Sequence, residues 1–268
     1  DGSVNYESFR AVLEDNIAAG VHGFWIAGGT GESVYLTEEE NMRLAEVSVE
    51  VCKGRATTIH HVGANTTPSA VKLAQHAASV GVDWVCAVPP FFYKRASPPA
   101  QFPPSAPLDL EVSLISTPRS LLVRAATDDA VVAHYAAIAA AADLPFFCYN
   151  LPQSTNLEIT AELMEKIKAG VPQLRGVKHS APAFGVTAQF VEMGLDVFAG
   201  DSSLMLQNLT LGGKGCIDGP PLMAPEIWVE IYNAWKAGDV PRAQAAQKKA
   251  ADIKFWVRKV RDALPQPQ

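Results

Sequence analysis

Residues 144–180 read LPFFCYNLPQSTNLEITAELMEKIKAGVPQLRGVKHS, and the fold is decided here. Leu144 to Tyr149 is a short, continuously apolar run, as is Leu174 to Lys178. Between them, Ile159 to Ala169 carries apolar residues at helical spacing. Strands that are apolar on both faces belong to a sheet covered on both sides, and a strand–helix–strand unit of this length makes the two strands parallel.

The same unit recurs in both directions along the chain. Further strands are expected at Val21 to Ala27, Ala56 to Gly63, Asp83 to Pro89, Asp196 to Gly200 and Gly215 to Asp218. Helices are expected at Tyr6 to Ala19, Thr37 to Val51, Pro68 to Val80, Asp128 to Ala142, Pro182 to Met193 and Ser203 to Leu211. Two closing helices cover Ala224 to Ala237 and Val240 to Arg258. Thr37 followed by Glu38-Glu39-Glu40 is a capping box, which fixes one helix start by satisfying orphan N–H groups reciprocally. These seven units point to fold class α/β, a closed (β/α) barrel over residues 1–268 as one domain. A doubly wound sheet would need a Gly-rich fingerprint after its first strand and a ribose-binding acid further on; neither is present in usable form.

One segment breaks the pattern. Arg95 to Ala126 holds six of the chain's 19 prolines in 32 residues. Proline at that density removes ladder donors and forbids helix, so residues 95–126 are expected to be a disordered insertion.

Composition narrows the function. Of 268 residues, 48% are apolar and 19% charged, the balance of a soluble domain with a sizeable core. Basic residues number 22 against 28 acidic, a net charge of −6, which argues against nucleic acid as a partner. No run of about 18 apolar residues is present, so no membrane-spanning segment is expected. Cys52, Cys86, Cys148 and Cys216 lie too far apart for a metal knuckle or redox pair and read as buried apolar residues of a reducing, cytoplasmic protein. His60 and His61 are adjacent on a strand, point to opposite faces and cannot hold one metal between them. No set of His and acidic residues converging at the strand ends can be assembled, so no metal site is expected.

In a barrel of this kind, catalytic groups stand where the strands end. Lys178 ends Gly176-Val177-Lys178, and an ammonium buried there loses its proton easily and becomes a nucleophile toward a ketone. Tyr149 ends the preceding strand, placed to pass a proton to and from the adduct. A salt-bridged rim lysine and a core tyrosine are the structural alternatives.

These motifs resemble a family. GGTGES (28–33), LTEEE (36–40), GANTTPSAVKLA (63–74), PPFFYK (89–94), FFCYNLP (146–152), GVKHS (176–180) and AGDSS (199–203) occur in the order found in the dihydrodipicolinate synthase and N-acetylneuraminate lyase family. The resemblance implies a (β/α)8 TIM barrel and class I chemistry, without metal or cofactor, on a 2-oxo acid such as pyruvate. Lys178 would be the Schiff-base lysine and Tyr149 the proton donor and acceptor. Thr30 and Gly29, with neighbouring N–H groups, would hold the carboxylate, and Ile217 would contact the same ligand through its backbone. Ser180 and Ser202, at neighbouring strand ends, complete the candidate substrate contacts. The family also implies a homo-oligomer, a tetramer.

The departures bear on substrate. Gly29 stands where the synthases carry a second hydroxyl, Ser154 where they carry an arginine for the second substrate's carboxylate, and Phe92 where they carry a relay tyrosine. Ser202-Ser203 stand where the lyases carry an Asp-Glu pair for the sugar chain. The expectation is an aldolase or lyase for a smaller 2-oxo acid, closer to the lyase branch. 4-hydroxy-tetrahydrodipicolinate synthesis from pyruvate and aspartate semialdehyde is the alternative. The family's barrel opens with a strand that lies before the Asp1-Gly2-Ser3 of this chain, so a barrel lacking its first strand is expected, with two unpaired edges. From that follows a reading of another class, a truncated family member without catalysis.

Overall fold

The computed structural model describes residues 2–91 and 127–263. Residues 95–126 lie outside the described residues. Seven strands form one parallel sheet in chain order: β1 (Gly23–Ile26), β2 (Thr57–His61), β3 (Trp84–Ala87), β4 (Phe146–Asn150), β5 (Leu174–His179), β6 (Asp196–Ala199) and β7 (Gly215–Cys216). Each strand lies beside its sequence neighbour, which is the order a barrel requires and a doubly wound sheet does not have. Among the described residues no pairing joins β7 to β1, so the curled sheet has two edges.

Helices follow the strands around the outside. They are α1 (Tyr6–Ala18), α2 (Glu38–Cys52), α3 (Thr67–Val80), α4 (Asp128–Ala142), α5 (Pro152–Thr155), α6 (Ala161–Gly170), α7 (Val186–Glu192), α8 (Met205–Thr210), α9 (Pro225–Lys236) and α10 (Val240–Ala263). The capping box is formed: Thr37 Oγ1 accepts from the Glu40 N–H at 3.1 Å, and the Glu40 carboxylate accepts from the Thr37 N–H at 2.9 Å. Strand and helix boundaries fall within a few residues of the sequence expectation. The short α5 was not expected, because Gln153-Ser154-Thr155 has no apolar period of its own.

The strand alternation divides two cores. Phe146, Cys148, Val177 and Val197 point outward and pack against α3, α4 and α6. Ile59, Cys86 and Phe147 point inward, against Trp25, Trp84, Phe198 and Ile217. Trp84 stacks on Phe147 with ring centroids 5.1 Å apart, which fills the lower barrel and leaves the strand ends free for chemistry. Cys52, Cys86 and Cys148 are buried and free, as expected, and burial pushes the Cys86 and Cys148 thiols up. Among the described residues no helix is long and apolar enough to cross a membrane.

Candidate active site

The register between β4 and β5 places the two central residues. Phe146 pairs with Leu174, but Phe147 pairs with Gly176, so Arg175 is an extra residue and the register shifts by one. Beyond the shift Tyr149 stands directly opposite Lys178. Without it Tyr149 would face Val177, and a slip of one residue exchanges the two faces of a strand.

Lys178 is 6% exposed and Tyr149 5%. The Lys178 Nζ lies 4.2 Å from the centre of the Tyr149 ring and 5.3 Å from that of Trp25. No carboxylate among the described residues is within ion-pair distance of Lys178, so the rim salt bridge considered from sequence is not formed. Burial lowers its pKa to about 8, a shift that the Asp218 carboxylate partly opposes. Tyr149 is shifted the other way: burial raises it to about 12, against a hydrogen bond with Ser180 that favours the ionised form. At neutral pH the phenol is therefore a proton donor, and a useful fraction of the lysine is free amine.

The turn after β1 faces this pair. A Cβ on Gly29 would lie 3.3 Å from the Tyr149 hydroxyl, so glycine at this position leaves room in front of the phenol. The turn closes through Glu32 N–H to Gly29 O at 3.1 Å and Ser33 N–H to Gly28 O at 3.3 Å. Glu32 adopts a positive φ of 51° with its side chain exposed. A cavity of about 640 Å³ runs along β1 on the open side of the sheet, and Lys178, Gly29, Thr30, Phe198, Ile217 and Asp218 all reach it.

The remaining candidates divide. Ser180 is half-buried beside the Tyr149 hydroxyl. Ile217 reaches the cavity, but its N–H is bonded to Ala199 O at 2.9 Å, so only its carbonyl is left for a ligand. Ser202 is fully buried, and neither it nor Ser180 nor Tyr149 is among the residues that line this cavity. Its backbone is used structurally, with its N–H donating to Asp218 at 2.9 Å and its carbonyl accepting from Trp228 Nε1 at 3.1 Å. Ser154 is exposed on α5, with no cationic group in its place.

The three strand-end histidines behave as alternation requires. His60 faces outward, its Nε2 2.8 Å from Asn41 Oδ1, and His61 faces inward against Tyr149. His179 faces outward beside Asn150 at 3.1 Å, which in turn holds the Ile159 backbone through two 3.0 Å bonds.

Three further residues stand at or near the strand ends that the sequence did not single out. Trp25 stands edge-on to Tyr149 with centroids 5.4 Å apart, and its position inside β1 was the available signal. Asp218 had been placed at a strand end without a role. It accepts from the Ser202 and Gly219 N–H groups, both at 2.9 Å. Lys254 reaches from α10 to pair with Asp201 and lies 3.6 Å from Asp218. No sequence signal links it to the mouth, since only helix packing brings it there.

Comparison with known proteins shows the family. The Dihydrodipicolinate synthetase family matches the chain over residues 1–100 and 124–264. The chain is 30% identical to the 4-hydroxy-tetrahydrodipicolinate synthase of Phenylobacterium zucineum, over all of this chain and 80% of that protein. It is 31% identical to the probable 2-dehydro-3-deoxy-D-pentonate aldolase YjhH of Escherichia coli, over 94% of this chain and 76% of that one. The crystal structure of dihydrodipicolinate synthase from Aquifex aeolicus superposes with a TM-score of 0.80 at 27% identity, covering all of this chain and 80% of its own.

Proposed function

Because this chain belongs to the Dihydrodipicolinate synthetase family, we propose that it is a class I aldolase or lyase that makes or breaks a carbon–carbon bond of a 2-oxo acid through a Schiff base on Lys178. The observation that carries this is the buried cross-strand pair, with the Lys178 Nζ 4.2 Å from the Tyr149 ring. The neutral amine adds to C2 of the oxo acid, and loss of water leaves the imine. In cleavage, the proton of the 4-hydroxyl is removed and the C3–C4 bond breaks. Its electron pair passes into the iminium to give an enamine, and an aldehyde leaves. Tyr149 passes protons to and from the adduct, protonation at C3 regenerates the imine, and water releases pyruvate and Lys178. Thr30 and the N–H groups of the 28–32 turn hold the carboxylate, with the Ile217 carbonyl beside the bound acid. The reaction uses no metal and no cofactor, so EDTA leaves turnover unchanged.

Gly29 and Ser154 support the aldolase side, because a bidentate arginine is the usual basis for holding a second carboxylate and none stands at Ser154. The synthase reading keeps its place through the 30% identity to a 4-hydroxy-tetrahydrodipicolinate synthase. Pyruvate release from a panel of 4-hydroxy-2-oxo acids, set against condensation of pyruvate with aspartate semialdehyde, separates the two. Borohydride reduction in the presence of pyruvate tests both: a pyruvyl mass on the peptide containing Lys178 is expected, and no adduct, or one elsewhere, overturns the mechanism. The same reading makes the protein a cytoplasmic homotetramer, checked by mass in solution.

A further inference from the structure

His61 ends β2 with its ring inside the barrel, 3% exposed, and the mechanism above gives it no task. Its Nε2 faces the Val88 N–H at 3.3 Å and must accept that bond, so in the neutral ring the proton sits on Nδ1. The ring stands perpendicular to Tyr149, at 89° and 6.2 Å between centroids. Space is left for it: a Cβ on Gly63 would lie 2.8 Å from His61 Nε2 and 3.1 Å from the Val88 nitrogen, so glycine here leaves room for the imidazole and for the bond that it accepts.

The Nδ1 side is the unsettled one. Nδ1 is buried without a hydrogen-bond partner among the described residues, and Ala27 stands one residue beyond the Ile26–His60 pair, level with His61 across the two strands. Ala27 has a φ of 54°, in the left-handed region that residues with a Cβ rarely adopt. It is also the residue directly before Gly28-Gly29-Thr30. A buried donor without a partner is costly, and an unusual backbone conformation persists only where its surroundings hold it.

We infer that His61 is a positioning residue: its Nδ1–H is drawn to the Ala27 backbone when a ligand fills the turn, so that one ring ties the carboxylate-holding turn to the face of Tyr149. The inference rests on the Schiff-base reading above. Three strand ends meet on this ring, those of β1, β3 and β4, and it keeps their spacing as the site fills. Neutrality is part of the fit. Burial and the neighbouring Lys178 hold the imidazole well below its ordinary pKa, at about 4, so it adds no second positive charge beside the nucleophile.

The test measures Lys178 modification by borohydride as a function of pyruvate concentration in wild type, H61F, H61Q and G63A. The phenylalanine keeps the ring volume and the contact with Tyr149 but removes both nitrogens. It is expected to raise the half-saturating pyruvate concentration about tenfold, the worth of one buried hydrogen bond, with maximal modification retained. Glutamine keeps a donor and an acceptor and is expected to recover most of that loss. The methyl of G63A displaces the imidazole and is expected to reproduce the H61F shift with His61 still present. Should H61F fail to fold, G63A and H61Q carry the same comparison. Unchanged half-saturation in H61F or G63A, or a loss of maximal modification alone, overturns the inference and leaves the Schiff-base reading standing. Absence of any adduct in wild type overturns that reading, and this inference with it.

Discussion

Lys178 and Tyr149 are direct cross-strand neighbours, and the lysine nitrogen lies over the phenol ring at 4.2 Å from its centre. In the proposed reaction the amine is the nucleophile, and the phenol, held protonated by burial, supplies a proton.

Removing either member should therefore fail differently. Lys178→Ala abolishes both turnover and borohydride trapping. Tyr149→Phe still forms the trapped adduct but loses on the order of 10²–10⁴ in kcat, the usual weight of one general acid–base group. Parallel trapping and steady-state assays check this, and equal loss of trapping in both variants would sink the division of labour.

The rate of imine formation should rise with pH through about 8, since protonated Lys178 cannot attack. Asp218 opposes the downward shift, so Asp218→Asn moves the midpoint to lower pH. Trapping rates between pH 6 and 10 show the direction, and an upward move contradicts it.

The same lysine weakens the fold. Its pKa falls from 10.5 in the unfolded chain to about 8 in the folded one, so between those values the unfolded state binds more protons. Stability then rises with pH across that window, and below it the full cost is felt. Lys178→Met is expected to raise unfolding free energy at pH 7 by on the order of 2 kcal/mol, with the gain shrinking toward pH 10.5. Urea unfolding at several pH values measures it.

Lys254 should matter for the mouth rather than the core. Burial alone would raise the Asp201 pKa, but Lys254 and Ser203 together hold it below 3.8. The pair's contribution is thus present above 3.8 and is lost as pH falls through the lower folded value. Asp201 is 45% exposed on its side chain, so after solvent screening Lys254→Met costs no more than about 1 kcal/mol at pH 7. The difference in Tm from wild type should vanish in acid.

Restoring a clamp tests the substrate assignment. Ser154→Arg is expected to raise kcat/KM for an aldehyde acceptor bearing a carboxylate by about tenfold, as one charge-assisted contact provides, without changing half-saturation by pyruvate. No gain with any carboxylated acceptor would mean that Ser154 does not face the second substrate.

Much of this architecture was legible before the structure. Strands such as Phe146–Asn150 and helices such as Asp128–Ala142 announce themselves because burial on two faces or one demands a local pattern. Lys178 and Tyr149 were visible as polar residues closing apolar strands. The burial of Ser202 was not legible, because position at a strand end says nothing of what α9 and α10 place above it: Trp228 and Gln247 both turn toward its carbonyl.

By itself, then, the sequence determined the succession of strands and helices, the parallel sheet and the residues that end each strand, since these follow from short-range periodicity and chain connectivity. Only the tertiary structure decided which of those residues meet. The one-residue shift at Arg175 brings Tyr149 opposite Lys178 rather than Val177. The space left by Gly63 seats His61, and the packing of α10 carries Lys254 to Asp201. Each of these depends on register and packing between segments distant in the chain, and no local pattern encodes them.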